Sequence, residues 1–201
     1  MSSRQERRKA TTRAKLIDAA RELFADKGID ATRINEITDT ADVGFGSFYS
    51  HFDGKDAIVA AVIEQTAREA AAEIDAITTG IEDPAEVVAV AHRFLVLRAA
   101  EDPAWGWLLV RLELSHDLAI EAFGPYALRD IDRGVAAGRF DVEDTGIALV
   151  AAGGALLGVI RAVLQGRADK TTAARQHAAG VLRLYGLPPS EAAEIVTRPL
   201  P

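Results

Sequence analysis

Apolar residues recur at the three- and four-residue spacing of one helix face along most of this chain of 201 residues. No segment shows the alternation of apolar and polar residues that is typical of a half-buried strand. The first clear stripe, between residues 12 and 27, consists of Leu16, Ile17, Ala20, Leu23 and Phe24. Gly28 follows it as a stop signal. This periodicity predicts an all-α fold.

The same spacing, with Gly and Pro as breaks, predicts where the other helices lie. A short second helix follows Thr32, and a third segment covers residues 45–52. Longer helices are predicted over residues 55–78, 85–100, 104–114, 120–137, 145–165 and 171–185, with a short one over 190–196. Residues 55–78 contain no Gly or Pro, so a long helix leaves the first unit without a flexible linker. We therefore expect two domains, 1–54 and 55–201.

Charge is distributed unevenly along the chain. The net charge is −7, which by itself argues against a nucleic-acid binder. Residues 1–60, however, hold 10 basic and 10 acidic side chains, and six of the basic ones lie in the first 15 residues against the single acid Glu6. Every excess acid therefore lies beyond residue 60, which leaves the N-terminal part able to approach DNA. The basic start is predicted to be either a solvated tail or an arm on the minor groove or the DNA backbone.

Composition also limits the location and the chemistry. With no cysteine, the chain has no disulfides, thiolate metal sites or cysteine nucleophiles. Its longest apolar run, residues 146–160, is 15 residues long, against the roughly 20 that a membrane-spanning helix needs. The basic start leads into an amphipathic segment and not into the apolar core of a signal peptide. We expect a cytoplasmic protein that does not enter a membrane.

Two short helices joined by a tight turn, packed under a longer first helix, predict a helix-turn-helix whose second helix enters the major groove. Gly46 and Ser47 are small and allow close approach to DNA. Beyond them, Tyr49, Ser50 and His51 offer hydrogen-bond donors near the DNA backbone. The charge of Lys55 and the free amides at the start of its helix both favour a phosphate.

At these residues the chain resembles the TetR family of transcriptional repressors, without a gap from about residue 13 to residue 62. The resemblance rests on Thr32, Ile37, Ala41, Val43, Gly46, Phe48-Tyr49, His51-Phe52 and Lys55-Asp56. It implies that the phosphate contacts are made by Thr32, Tyr49, His51 and Lys55. It also implies that Arg33, Phe45 and Ser47 lie nearest the base edges, where Phe45 could press on a thymine methyl. The alternative is that Phe45 and Tyr49 are core aromatics.

Two residues of the turn depart from the family pattern Ala-Gly-Val-Ser, since this chain has Ala41-Asp42-Val43-Gly44. Asp42 must adopt a conformation that glycine accepts more easily. Because Gly44 stands where the family has Ser, this position lacks a side-chain cap and a hydroxyl contact to phosphate. Only its backbone amide can still contribute to DNA binding. These departures are the sequence support for an alternative function, a helical homodimer that binds a small molecule or a protein and has lost operator recognition.

The C-terminal part carries no motif of equal specificity. The resemblance implies a pocket for a small-molecule effector, for which the candidates are Phe94, Trp107, Arg111, Phe123, Tyr126 and Arg161. An alternative for Arg111 is an ion pair with Glu113 or Asp130. A homodimer through the last two long helices is predicted to use Gly154, Gly158, Ala174, Ala178, Val181, Leu182 and Tyr185. The glycines could instead serve packing within one chain.

Catalytic and metal-binding motifs give little support to an enzyme. Glu113 and His116 have the Glu-x-x-His spacing of di-iron bundles, but the second copy that such sites need is missing. The chain has no phosphate-binding loop, nucleophile elbow or His-Glu-x-x-His motif. We expect no catalytic residue, no metal and no cofactor. The predicted function is a ligand-responsive DNA-binding repressor that binds a pseudo-palindromic operator as a dimer.

Overall fold

A computed structural model of the chain describes residues 4–112 and 116–201. Within these ranges every regular element is a helix, which confirms the all-α prediction. The helices are α1 (Arg4–Lys27), α2 (Ile34–Thr40), α3 (Phe45–Phe48), α4 (Lys55–Thr78), α5 (Pro84–Glu101), α6 (Pro103–Leu112), α7 (His116–Ala136), α8 (Thr145–Leu164), α9 (Lys170–Leu184) and α10 (Pro189–Ile195).

Helix α1 begins well before the apolar stripe that predicts it. Its first part is rich in Arg, Lys, Glu and Ala, which are good helix formers, and contains no Gly or Pro. The hydroxyls of Thr11 and Thr12 donate to the carbonyls of Arg7 and Arg8, one turn back. Because this part is exposed on all sides, it has no apolar stripe that could reveal it. The basic start of the chain is therefore helical from Arg4 and not an extended tail.

The turn between α2 and α3 forms as the sequence predicts. Asp42 has a φ of 52°, the left-handed conformation that the family pattern assigns to glycine. The backbone N–H of Val43 donates to the carbonyl of Thr38 at 2.9 Å and closes the turn. Helix α3 has a single turn, followed by further turn residues up to His51. It is held by the buried rings of Phe48 and Phe52, because so short a helix has no stability of its own.

Three apolar cores follow one another through the molecule. The first core lies under α1–α4, and its fully buried side chains include Leu16, Phe24, Ile37, Phe48, Ile58 and Val62. The second core, between α5, α8, α9 and α10, includes Val88, Ala178, Val181, Leu182 and Tyr185. The third core, between α4, α5, α6, α8 and α9, includes Ala70, Val96, Trp105, Leu109, Leu156, Ile160 and Ala174.

Helix α6 contributes to two of these cores at once. Leu108 is fully buried in the first core, whereas Trp105, Leu109 and Val110 are buried in the third. Helix α4 also spans both, with Ile58 in the first core and Ala70 in the third. The two helices thus join the N-terminal and C-terminal parts by packing. The domain division at residue 55 stays a prediction.

Helices α5 and α9 run antiparallel. Val88 shares a core with Val181, His92 contacts His177, and Val96 shares a core with Ala174, so numbers rise along one helix as they fall along the other. Helix α8 packs against both. Among the described residues, α8 is the one helix long and apolar enough to cross a membrane, with a mean hydropathy of 2.2. Only 22% of that apolar stretch is buried inside the chain, so much of its apolar surface faces outward.

Candidate nucleic-acid interface and effector domain

Helix α3 presents two aromatic rings to solvent. Phe45 and Tyr49 are each 52% exposed, and their rings meet edge to face with centroids 5.6 Å apart. Phe48 and Phe52 lie on the opposite side and are buried. The alternative that Phe45 and Tyr49 belong to the core is therefore wrong. An exposed aromatic pair on so short a helix has no packing purpose inside the chain.

Small residues at and next to the start of α3 leave little side-chain bulk on its outer surface. A side-chain β-carbon placed at Gly44 or Gly46 would meet no atom within 4 Å, so neither glycine is required by packing within the chain. Gly44 occupies the N-cap of α3 and provides no side-chain cap. Ser47 is half-buried, and Ser50 is exposed. The backbone amides at the start of α3 are accordingly accessible to a neighbouring backbone or phosphate.

Thr32 does not fit the role predicted for it. Its side chain is 1% exposed, and its hydroxyl donates to the carbonyl of Gly28 at 2.7 Å. The N-cap of α2 is Arg33, whose backbone N–H donates to Glu36 Oε2 at 2.8 Å. The phosphate contact predicted for Thr32 is thus wrong, because the hydroxyl is turned into the fold. Arg33 is exposed, so its predicted contact with DNA stays a prediction.

Charged groups flank α3 on the side of α2 and α4. Lys55 begins α4, and its Nζ donates to the carbonyl of Asp30 at 3.3 Å. Lys27 forms an ion pair with Glu36, and together with the Arg33 amide it lowers the pKa of that carboxyl. Glu36 is thereby neutralised by neighbours in its own chain. Lys55 is held at the start of α4 by its hydrogen bond to a carbonyl.

The basic part of α1 forms a cleft with the helix-turn-helix. The cleft has a volume of about 610 Å³ and is lined by Arg8, Thr11, Thr12, Lys15, Asp42, Val43 and Ser47. The four α1 residues follow the spacing of one helix face, so their charges and hydroxyls point to the same side as Ser47. Arg8 and Lys15 belong to the basic start that was predicted to be a DNA arm or a solvated tail. The good helix formers of this segment were visible in the sequence, but no apolar stripe indicated which side of the helix faces the rest of the chain.

His51 lies between α3 and the same basic part of α1. Its Nδ1 is buried and has no hydrogen-bond partner among the described residues. Burial lowers the pKa of His51, and the charges of Lys9 and Arg13 lower it further. Arg13 also stacks over the ring of Phe52, with its guanidinium carbon 5.1 Å from the ring centroid. The neutral imidazole is thus favoured until an anion approaches this group of cations.

The residues predicted to line an effector pocket lie in the C-terminal part, and Trp107 and Phe123 both pack against the third core. Phe94, Trp107, Phe123 and Tyr126 are half-buried, and Arg161 is exposed. A second cleft, of about 340 Å³, lies elsewhere, between the end of α4 and α7, and is lined by Asp75, Thr78, Thr79, Gly80, Ile81, Val87, Arg129, Asp130 and Arg133. For these five residues the effector pocket stays a prediction.

Arg111 has a different role from either one predicted. Its guanidinium donates to the carbonyls of Phe24 and Ala25 in the last turn of α1 and lies 5.5 Å from the centroid of the Trp107 ring. Glu113, one predicted partner, lies outside the described residues, as does the side chain of His116. A cation at a helix C-terminus is stabilised by the free carbonyls and the helix dipole. Arg111 therefore fastens α6 to α1 and is not available to an effector.

The residues of α9 that were predicted to meet a second subunit do not face outward. These five residues are at most 3% exposed, because they pack inside the chain against α5, α8 and α10: Ala174, Ala178, Val181, Leu182 and Tyr185. Gly154 and Gly158, by contrast, lie on the exposed side of α8. A β-carbon at either would meet no atom within 4 Å, so these glycines do not serve packing within the chain.

Two histidines form the main polar contact between α5 and α9. His92 Nδ1 lies 2.9 Å from His177 Nε2. Burial lowers the pKa of His92 to about 3 and that of His177 to about 4, so both rings are neutral at pH 7. One ring donates and the other accepts. Within the described residues, no three His, Cys, Asp or Glu side chains gather in a way that could hold a metal ion.

The fold and this surface define the class: a helix-turn-helix transcriptional regulator with a separate helical C-terminal domain. The family model described as "Bacterial regulatory proteins, tetR family" matches residues 16–62. A second model, "Tetracyclin repressor-like, C-terminal domain", matches residues 83–198, more than half of the chain. The chain therefore belongs to the TetR family of transcriptional regulators.

Individual relatives agree with this assignment. The structure of RolR in complex with resorcinol is 36% identical, covers 97% of both chains and superposes with a TM-score of 0.79. The transcriptional repressor KstR2 of Rhodococcus jostii is 43% identical over 51 residues, a stretch that covers 25% of each chain. FadR of Bacillus subtilis, solved with stearoyl-CoA, is 16% identical with a TM-score of 0.68 and shares the fold.

Proposed function

We propose that this regulator is a cytoplasmic repressor that binds a pseudo-palindromic operator as a homodimer and is released from it by a small-molecule effector. The observation that carries the DNA-binding part is the exposed outer surface of α3 beside the basic side of α1. Two copies of α3 would enter successive major grooves, about 34–36 Å apart. The acidic C-terminal part would repel DNA and leave only this surface to approach it.

For the DNA contacts, we assign direct base readout to Arg33, Phe45 and Ser47, with Phe45 against a thymine methyl. Tyr49, Ser50, His51 and Lys55 would bind phosphates, together with the amides of Gly44 and Gly46. The α1 side of the cleft, Arg8, Thr11, Thr12 and Lys15, would receive the adjacent phosphates. A phosphate near His51 would offset the repulsion from Lys9 and Arg13.

The homodimer would form through the outward side of α8. Its exposed small and apolar residues are Ile147, Val150, Ala151, Gly154, Ala155 and Gly158. Such a surface on a soluble regulator requires a cover, and small residues let a second helix approach closely. In a dimer with a two-fold axis, the same surface of both subunits forms the interface, so the α8 of one subunit would pack against the α8 of the other. We therefore assign the outward apolar surface of α8 to a second subunit and not to lipid.

The effector we propose is a small hydroxylated aromatic compound of the resorcinol kind. The support is the relative RolR, which is similar over almost the whole length and was solved with resorcinol. Binding would favour a conformer in which the separation of the two α3 helices no longer matches successive major grooves. The effector can shift the equilibrium toward this conformer only as far as it binds it more tightly than the DNA-binding conformer. Helices α4 and α6 would carry the change, because both pack in the first and third cores.

The DNA-binding part is tested with DNA from the region upstream of the protein's own gene, by fluorescence anisotropy over a range of salt concentrations. Lys15→Ala should weaken binding and make the plot of log affinity against log salt shallower by about one unit per subunit. Lys170→Ala, an exposed lysine at the start of α9, is the control and should change neither. An unaltered slope for Lys15→Ala would remove the α1 cleft from the interface.

The alternative function, a homodimeric binding module without operator recognition, rested on Asp42 and Gly44. Asp42 adopts the conformation that the turn requires, and the turn closes with its hydrogen bond. The departure at that residue therefore leaves the geometry of α3 intact. Absence of any DNA shift at low salt, with the upstream region as the probe, would favour the alternative.

A further inference from the structure

Trp105 has a polar group that the described residues do not satisfy. The side chain is 5% exposed, and its Nε1 has no hydrogen-bond partner among them. A buried indole N–H ordinarily finds an acceptor, because an unpaired donor carries a desolvation penalty. The backbone of Trp105 is satisfied, since its N–H donates to Asp102 Oδ1 at 3.1 Å at the start of α6. The backbone donor of Trp105 is therefore satisfied, whereas its side-chain donor is not.

The surroundings of the ring limit what can accept from it. The guanidinium carbon of Arg98 lies over the face of the ring, 4.4 Å from its centroid, and Arg98 is paired with Glu73 of α4. An indole N–H points outward in the plane of the ring, so an acceptor must lie at the ring edge and not on the covered face. The neighbours in the third core are otherwise apolar: Ala70, Val96, Ala99, Leu109, Leu156 and Ile160.

We propose that Trp105 Nε1 donates a hydrogen bond to an oxygen of the effector, a site that rests on the effector binding proposed above. The ligand chemistry follows from the surroundings. It is a small and mainly apolar molecule, which suits aliphatic neighbours, and it carries at least one acceptor oxygen at its edge. A phenolic hydroxyl meets both requirements. The nearby cation of Arg98 further favours an oxygen with negative character.

Trp105 also connects this site to the DNA-binding part. Three residues further along α6, Leu108 is buried in the first core, and Arg111 holds the last turn of α1. A ligand that draws the edge of Trp105 toward itself therefore displaces a helix that is fixed to α1. Recognition of the effector oxygen and transmission to the DNA-binding part thus reside in one short helix.

The test compares two ligands of the same shape on two proteins by titration calorimetry. Resorcinol carries two hydroxyls, and 1,3-dimethylbenzene replaces them by methyl groups. Trp105→Phe keeps an aromatic ring and removes the N–H. We expect the ratio of resorcinol to dimethylbenzene affinity to fall about tenfold in Trp105→Phe, the effect of one neutral hydrogen bond. Tyr185→Phe, which removes a buried hydroxyl from the second core and not from the third, should leave the ratio unchanged.

The other outcomes refute either the hydrogen bond from Trp105 or the proposed class of effector. If Trp105→Phe weakens both ligands equally, the hydrogen bond is refuted while the proposed effector class stands. If only Tyr185→Phe changes the ratio, the donor is misassigned. If the wild-type protein binds no resorcinol, the effector class and this inference fall together. Should Trp105→Phe not fold, the ¹H–¹⁵N spectrum of the wild type decides, since Trp105 supplies one of only two indole signals. A Trp105 signal unmoved by saturating resorcinol would refute the hydrogen bond.

Discussion

Replacing Gly158 by leucine tests the proposed dimer contact, because the change should weaken the dimer without disturbing the fold of one chain. Gly158 lies on the exposed side of α8, and a β-carbon there would meet no atom of the described residues within 4 Å. A leucine at this position should therefore leave the isolated fold nearly unchanged. If a second α8 packs against this side, the added side chain must fit between two helices that approach closely at glycine.

The expected magnitude follows from the symmetry of the dimer. Overpacking a close contact costs about 1–3 kcal/mol per site. A two-fold axis brings both copies of residue 158 into the interface, so Gly158→Leu should destabilise the dimer by about 2–6 kcal/mol. The dimer dissociation constant would rise by roughly 30-fold to 20,000-fold. The protein would therefore dissociate into monomers at a concentration higher by the same factor.

Sedimentation equilibrium measures that constant, and circular dichroism checks the helical fold. Ala10→Leu, at an exposed position of α1, is the control for added apolar surface and should remain dimeric. Ala178→Leu should instead lower the stability of the single chain, because Ala178 is fully buried against α5. A Gly158→Leu protein that dimerises as tightly as the wild type would refute the assignment of α8 to the interface.

Two further changes test the turn and the link between the two parts. Gly44→Ser restores a side-chain cap to α3 in open space; stability should rise by only a few tenths of a kcal/mol, and operator affinity by about two- to tenfold through a hydroxyl contact to phosphate. Unchanged affinity in anisotropy would mean that no phosphate lies there. Arg111→Met removes the donor to the α1 carbonyls and should lower the free energy of unfolding in urea by about 2 kcal/mol. Arg68→Met, which breaks only an exposed ion pair, should cost less than about 0.5 kcal/mol and serves as its control; equal losses would contradict the link.

Local patterns in the sequence predict the helix-turn-helix well. The spacing of apolar residues identifies the buried sides of α1 and α2, and the break at Gly28 marks the end of α1. Asp42 was expected in a strained turn, and its positive φ confirms this. The backbone alone imposes such features, because a tight turn needs one residue in the left-handed region whatever packs around it.

Thr32 and the start of α1 show where local patterns fail. Thr32 was expected to contact a phosphate, but its hydroxyl donates to the carbonyl of Gly28 and its side chain is buried. The start of α1 is helical without any apolar stripe, since the side that faces the helix-turn-helix there is polar. Neither outcome can be read from spacing, because each depends on which group lies closest in three dimensions.

The sequence by itself determined the helical class, the tight turn and the resemblance that indicated a DNA-binding regulator. Only the tertiary structure decided what each apolar side packs against. An apolar stripe has the same spacing whether its own chain or a second copy covers it, so Val181 and Leu182 of α9 were predicted to meet a second copy although they pack inside their own chain. In the same way, Arg111 could pair with any acceptor in reach, and the fold brought the carbonyls of α1 to it. Spacing along the chain reveals that a side is buried, but the covering partner is set by distances between residues far apart in sequence.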